Sequence, residues 1–437
     1  MRRVLVVAPH FPPVSAADGH RARLSVRYFA EFGWEPYVLT VDPEAQAEPR
    51  EPALCHTLPP GLSVTTVSAV PLGWSRLAGI GNVAIRALPQ LHRAGRALID
   101  RHGIDLVYFS TSMFAAMPLG RLWKYATGVP FVLDMQDPWL ADYRPAAVTR
   151  KWHLARALHA VLEPFTMRAV DGLIAVSDAY IRTLRTRYPW IPEESCATIP
   201  FGAAASDFDV AAELDWQNPF FRSGSARLHG VAVGRGGDDM GTAARILFRA
   251  CRAVAESGSI GKSPRLFFVG TDYAPAGTGR KTLEPLARQE GLAEDEIFEQ
   301  PDRLPYLEGL RLLREADFLI VLGSDDAQYS PSKVYPYLLA GRPIVSILHE
   351  DSPAVELMRR AGCGPVVTFR TSADARMVAA QLVPQLRDLL PALPRTCIAP
   401  MAVTYAFSAR ELTRGQCELF ARVLRGRTVP EVAPCRG

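Results

Sequence analysis

Short runs of apolar, largely β-branched residues recur in the first half of the chain, at Val4–Val7, Pro36–Val41, Val64–Val70, Leu106–Ser110, Phe131–Asp134, Leu173–Val176 and Thr198–Phe201. Between most of them lie longer segments of helical period, among them Arg21–Phe32, Leu91–His102 and Trp152–Ala169. A run that is apolar at nearly every position is a strand buried on both faces. Its alternation with helices predicts parallel sheets covered on both sides. From Ala203 to Ser225 the periodicity lapses, and this stretch reads as a link. Alternation restarts with strands at Val231–Val233, Leu266–Val269, Phe318–Leu322, Ile344–Ile347 and Val366–Phe369, with helices clearest at Leu304–Ala316 and Ala354–Ala361. The closing segment, Phe407–Leu424, is again helical. Two such series joined once predict an α/β chain of two doubly wound domains with a cleft between them. Ligands of such sheets bind beyond the carboxyl ends of the strands, near helix N-termini. The strand-to-helix loops therefore carry the candidate chemistry.

A length of 437 residues fits two or three domains of roughly 100–200 residues each. With 48% apolar and 22% charged residues the chain is neither disordered nor collagen-like. Cys55, Cys196, Cys251, Cys363, Cys397, Cys417 and Cys435 are scattered, with no C-x-x-C pair. This reads as reduced thiols in the cytoplasm and argues against a zinc site or a disulfide framework. A net charge of +4 is too small to indicate a nucleic-acid partner. Of the 49 basic residues 44 are Arg and five are Lys, so a lysine inside a motif carries more weight than an arginine. The N-terminus MRRVLVVAPHFPP has an apolar run of five residues, where a secretory signal needs about 7–15. A buried first strand accounts for it better. No run of about 18 apolar residues offers a membrane span.

Two familiar phosphate signatures fail. The loop after the first strand, APHFPPVSAADGH, lacks G-x-G-x-x-G, and GRGGDDMG after Val231–Val233 has Asp239 where the third glycine belongs. A nicotinamide-cofactor dehydrogenase is therefore disfavoured. Gly261-Lys262-Ser263 resembles the end of a phosphate-binding loop, but it precedes a strand and has Glu256 at the first glycine position. Three other loops carry more. In the first, Gly19 at a helix start allows a backbone N–H to approach an anion closely, with Asp18 as a simple N-cap the structural alternative. In PFVLDMQDPW, Asp134 and Asp137 end a buried strand, where acids either face the cleft or cap the next element. The third is LIVLGSDDAQYSPSKVYPYLLAGRPIVSI, in which Ser332 and Lys333 open a helix. A cation in a first helical turn opposes the dipole, and an anionic ligand there would relieve the conflict. A lysine turned into solvent is the plain alternative.

Together these segments resemble the family 4 glycosyltransferases of GT-B fold. FPPVSAADGHRARLSVRYFAEFGWEPYVLT is similar to their N-terminal donor loop, first helix and second strand. FVLDMQDPW resembles the D-x-x-D-P-W strand end of one branch, and VAVGRGG the opening of their C-terminal domain. SKVYPYLLAGRPIV resembles their S-K-x-x-E-Y-L-x-x-G-x-P segment, which contacts the nucleotide-sugar. The resemblance implies two Rossmann-like domains, with residues 1–205 on the acceptor side and residues 226–400 binding the nucleotide-sugar. Residues 401–437 then form a helix crossing back to the first domain. Three departures stand out. Gln328 and Pro336 occupy the positions of the family's two motif glutamates, the second of which usually holds the donor ribose. The basic pair after the second domain's first strand is reduced to Arg235. The loop Ser110-Thr111-Ser112-Met113 lacks the histidine that some members carry.

The resemblance implies a retaining glycosyltransferase that uses a nucleotide diphosphate sugar and no metal or other cofactor. Without a metal, neutralising the leaving diphosphate falls to Arg, Lys and helix N-termini. Arg235 and Lys333 are the expected groups, with Gly19, Gly234, Tyr329 and Ser332 also on the donor. Asp137 is expected to orient acceptor or donor loop, and His10, Asp134 and Ser110 to lie on the acceptor side. The acceptor is a glycan or lipid-linked sugar. Two alternatives remain, a nucleotide-sugar epimerase of the same fold and a non-catalytic nucleotide-sugar-binding protein. Peripheral contact with an anionic membrane at its inner face is a further expectation. Between Pro71 and Arg101, Arg76, Arg86, Arg93, Arg96 and Arg101 face one acid, Asp100, and Trp74, Leu77, Ile80, Ile85 and Leu88 lie among them. Arg144 to Arg187 contains eight basic residues against Glu163, Asp171 and Asp178.

Overall fold

The computed structural model describes residues 1–426 apart from residues 72, 74–80, 141–149, 223, 259–263, 328 and 330–331. Gln328, the Gly261-Lys262-Ser263 segment, Trp74, Arg76, Leu77, Ile80, Arg144 and Cys435 lie outside the described residues. The chain divides into two compact units, Met1–Phe201 with the chain from Ala409 onward, and Gly202–Ser408.

In the first unit the strands β1 (Arg2–Val7), β2 (Trp34–Val41), β3 (Ser63–Val67), β4 (Leu106–Ser110), β5 (Phe131–Met135), β6 (Gly172–Ala175) and β7 (Cys196–Thr198) form one sheet of order β3-β2-β1-β4-β5-β6-β7. Every pairing is parallel, and the order reverses between β1 and β4, where Val4 of β1 faces Leu106. Successive side chains of a strand point to opposite faces, so a run such as Val4-Leu5-Val6-Val7 supplies two cores at once. Leu5 and Val7 join Phe109, Trp123 and Phe131 on one face, while Val4 and Val6 join Phe29, Tyr108 and Phe420 on the other. Phe420 belongs to the helix Ala409–Arg425, which is part of this unit, whereas the helix Met401–Ala406, expected to cross back with it, belongs to the second unit. The Phe420 ring meets Trp34 edge-on at 5.4 Å and lies 5.1 Å from Tyr108. The helix Val83–His102 packs its apolar side on the sheet. It includes Arg86, which is 3% exposed and donates to the carbonyls of Val70 and Ala45. Ile85 and Leu88 also pack against the core, so these members of the expected lipid-facing group are structural.

The second unit holds β8 (His229–Val233), β9 (Arg265–Val269), β10 (Ile297–Gln300), β11 (Phe318–Leu322), β12 (Ile344–His349) and β13 (Val366–Phe369), all parallel, in the order β10-β9-β8-β11-β12-β13. The reversal lies between β8 and β11. The stretch read as a link contains the helix Ala205–Ala212, which belongs to this unit. Phe208 is buried under the Arg314 guanidinium, 4.5 Å away, and Asp207 accepts from the Tyr306 hydroxyl. A short helix held by two such contacts has no long apolar period to read. Both units are α/β with doubly wound parallel sheets.

Candidate functional site

In the first unit, the carboxyl ends of β1, β4 and β5 gather a buried polar network at the order reversal, where doubly wound sheets open a crevice. The Asp18 carboxylate makes no capping bond to the helix Gly19–Val26. It turns instead to His10 Nδ1 at 2.7 Å, the Thr111 hydroxyl at 2.7 Å and the Ser112 N–H at 3.1 Å. Burial raises a carboxyl pKa, but these partners, His10 foremost, outweigh it and hold Asp18 below its ordinary value. Burial likewise opposes the charged imidazole, yet the hydrogen bond and charge of Asp18, then the charge of Glu48 3.6 Å from Nε2, raise His10. The Gly19 N–H donates to Ala16, and a Cβ on Gly19 would stand 2.8 Å from the His10 carbonyl oxygen. The glycine thus serves the close approach of loop and helix.

Asp134 does not face a cleft. It is fully buried, 2.9 Å from Arg21 Nε, and accepts from the Tyr108, Ser110 and Gln136 side chains. Burial lifts its carboxyl, and Arg21 resists that lift. Arg21 also donates to the carbonyls of Ile199 and Pro200. Asp134 and Ser110 therefore tie the strand ends together. Gln136 links the two clusters by donating to the Asp18 carbonyl and the Ser110 hydroxyl. Asp137 is exposed, its pKa raised first by partial desolvation and then by the charge of Asp18. The sequence reading missed Asp18, Thr111 and Arg21 as members of this network, because their partners are remote in the chain.

In the second unit, Arg235 and Lys333 meet at the reversal between β8 and β11. Gly234, with φ of 103°, turns the chain out of β8. Arg235 pairs with Asp239 at 2.7 Å and lies over the Tyr329 ring, 5.6 Å from its centroid. Lys333 Nζ donates to the Arg235 carbonyl at 3.0 Å. Burial first, then the neighbouring charge of Arg235, pulls the Lys333 pKa down to about 8, against the opposing pull of Asp239. Burial pushes Tyr329 up to about 12. Asp239 holds the group together. Its carboxylate accepts from the Ser324 hydroxyl at 2.6 Å, and its carbonyl accepts from the Asp325 N–H. The sequence reading met Asp239 only as a broken glycine motif, and its place directly after β8 was the available signal. Ser332 is exposed and caps nothing, because the helix Val334–Ala340 begins two residues later with Lys333 at its N-cap. Pro336 falls in the first turn of that helix, where a missing N–H costs little.

A neighbouring anion position is already filled. The buried Glu299 carboxylate, at 1% exposure, accepts from the Thr271 hydroxyl and from the N–H groups of Thr282, Leu283 and Glu284. Arg235 and Lys333 are the cations that come together at the β8–β11 order reversal.

Residues 19–202 match the family described as glycosyl transferase 4-like domain, which covers most of the first unit. No curated protein matches the chain in sequence. Among solved structures, Anabaena HepE in complex with UDP-glucose superposes with a TM-score of 0.58 at 14% identity, over 96% of this chain and 100% of that one. A glycosyltransferase from Rickettsia africae gives 0.56 at 14% identity over 97% and 99%. The sucrose-phosphate synthase from Thermosynechococcus elongatus gives 0.53 at 13% identity over 98% and 97%. The fold is GT-B, and residues 19–202 are similar to the glycosyl transferase 4-like domain.

Proposed function

We propose that the chain is a glycosyltransferase that takes a sugar from a nucleoside diphosphate sugar held by the second unit and passes it to an acceptor hydroxyl held by the first. The convergence of Arg235 and Lys333 at the β8–β11 reversal carries this reading. In transfer, the bond from the anomeric carbon to the phosphate oxygen breaks and a new bond to the acceptor oxygen forms. The electron pair of the broken bond stays on the diphosphate, so negative charge grows there, and preorganised cations are most effective where charge develops. Arg235 and Lys333 supply them without a metal ion. In a retaining course the departing phosphate oxygen takes the proton of the acceptor hydroxyl. Asp137, exposed beyond the end of β5, orients that hydroxyl by accepting from it. The UDP-glucose bound to HepE supports a donor of this class, and the glycosyl transferase 4-like match supports the reaction. The acceptor is a glycan or a lipid-linked sugar.

The test is incubation with UDP-, GDP- and dTDP-sugars, following free nucleoside diphosphate with and without sugar acceptors. Diphosphate released together with a glycosylated acceptor is the expected result. Diphosphate and an altered sugar without an acceptor would replace this reading with an epimerase. Donor binding without turnover across the acceptor panel would replace it with a binding protein.

A further inference from the structure

Two of the scattered cysteines meet in the second unit. Cys363 lies in the turn between the helix Ala354–Ala361 and β13, and Cys397 in the segment that follows the helix Ala375–Leu389. Both backbones are held by one turn, residues 341–343, which joins the helix Val334–Ala340 to β12. The Ile344 N–H at the start of β12 donates to the Cys363 carbonyl at 2.8 Å, and the Cys397 N–H donates to the Gly341 carbonyl at 3.0 Å. The approach is close on both sides. A Cβ on Gly364 would stand 2.5 Å from the Ile344 carbonyl oxygen, and one on Gly341 would stand 3.8 Å from the Thr396 methyl. The side chains complete the contact. The Cys363 thiol, 1% exposed, shares a hydrogen bond with the Cys397 thiol. Burial first, then that bond and the charge of Cys397, push the Cys363 thiol up to about 12. For Cys55, Cys196, Cys251 and Cys417, burial is the first cause of the shift and no second cysteine acts on them. Cys397 is half-buried, so solvent reaches this pair from its side.

We propose that Cys363 and Cys397 form a dithiol site that a low-molecular-weight disulfide converts to an intramolecular disulfide. Cys397, the accessible thiol, loses its proton, and its sulfur attacks one sulfur of the small disulfide. The S–S bond of that molecule breaks, one half leaves as a thiolate that takes up the proton, and a mixed disulfide remains on Cys397. The Cys363 sulfur then attacks the Cys397 sulfur and gives up its own proton to the second departing half. One small disulfide is thus reduced to two thiols while the two cysteines are oxidised. The raised thiol of Cys363 makes the second step slow, and the contact of the two side chains makes it intramolecular. The reduced pair gains no stabilised thiolate at Cys363, which favours the disulfide once it has formed. Lys333 stands at the opposite end of the helix Val334–Ala340. Oxidation therefore braces the scaffold behind the proposed donor site without entering it, and the dithiol chemistry does not depend on the glycosyltransferase reading.

The experiment incubates the reduced full chain with glutathione disulfide, blocks the remaining thiols with iodoacetamide and maps the peptides by mass spectrometry. A peptide joining Cys363 to Cys397 should form at a rate independent of protein concentration and should be lost on treatment with dithiothreitol. Cys363→Ser should leave Cys397 carrying glutathione, because the second step then lacks its sulfur, and Cys397→Ser should leave Cys363 free. Closing a loop of roughly 35 residues restricts the unfolded chain, so the oxidised parent should melt several degrees above the reduced one. That difference should vanish in Cys397→Ser. If the buried Cys363→Ser substitution prevents folding, the peptide map of the parent and the behaviour of Cys397→Ser carry the test. Exhaustive oxidation that leaves the parent with a stable glutathione adduct on Cys397 and a free Cys363 overturns the proposal. A map in which Cys397 is joined to Cys435 or to any other cysteine instead overturns it as well.

Discussion

Lys333 and Arg235 are two cations within one hydrogen-bonded group, and burial first, then the charge of Arg235, holds the lysine near pKa 8. A bound diphosphate reverses the balance by favouring the charged ammonium. Donor affinity should therefore be highest below pH 8, where Lys333 is already protonated, and should fall as pH rises above it. At pH 8.5–9 binding should take up a proton, visible as a buffer-dependent heat in calorimetry. Lys333→Ala should remove both the pH dependence and the proton uptake, and cut kcat/KM by about a hundredfold or more. A folded Lys333→Ala protein with parental kinetics would contradict the assignment. In the first unit the His10–Asp18 pair makes a separate pH signature. His10 is raised above its ordinary 6.5 and Asp18 lies below its ordinary 3.8. The imidazole's share of stability is complete below pH 6.5 and is lost as pH climbs through its folded value. The carboxylate's share is complete above pH 3.8 and is lost as pH drops through its folded value. The first unit should thus be most stable between these limits, and denaturant midpoints of His10→Gln and Asp18→Asn should show a flatter profile across them.

At the scale of elements, the helix Ala409–Arg425 is the clearest case of a remote segment completing a local core. Phe420 is fully buried among Phe29, Trp34 and Tyr108. Phe420→Ala should destabilise the first unit by about 3–5 kcal/mol, read as a shift of its unfolding midpoint. A change under 1 kcal/mol would show that the helix is not integral to this unit. The strands that feed these cores were legible because both faces are buried, which leaves continuous apolar runs such as Val4–Val7 and Phe318–Leu322. β10 was not, since Ile297-Phe298-Glu299-Gln300 sits at a sheet edge, and one of its two acidic or amide positions, Glu299, points inward to cap the helix Leu283–Gln289. The expected strand Thr198–Phe201 is displaced toward Cys196–Thr198, because the carbonyls of Ile199 and Pro200 serve Arg21. Arg235 was legible as the cation that follows β8, and Lys333 as a lysine at a helix start. The Asp239 and Asp18 bridges were not, because Asp18 reads locally as an N-cap and Asp239 as a broken glycine motif, and only the fold brings Thr111 to the one and Ser324 to the other.

At the scale of the molecule, two doubly wound units each bring polar side chains to their own order reversal, but the groups differ in kind. The first unit's reversal is internally neutralised, His10 against Asp18 and Arg21 against Asp134. The second unit's carries Arg235 and Lys333 against the single carboxylate of Asp239. An anionic donor should accordingly recognise the second unit, and this predicts how stability responds to ligand. A ligand that binds only the folded state stabilises by about 2.7 kcal/mol at a hundredfold excess over Kd. For a unit of some 200 residues that is a rise of roughly 5–10 °C. Nucleoside diphosphate sugars should raise the melting transition of the second unit while leaving that of the first in place, so calorimetry should resolve the two. Arg235→Ala combined with Lys333→Ala should erase the rise. His10→Gln and Asp137→Asn should leave it intact, because both residues belong to the first unit. If the first-unit variants abolish the rise and the second-unit pair does not, the donor and acceptor roles of the two units are interchanged.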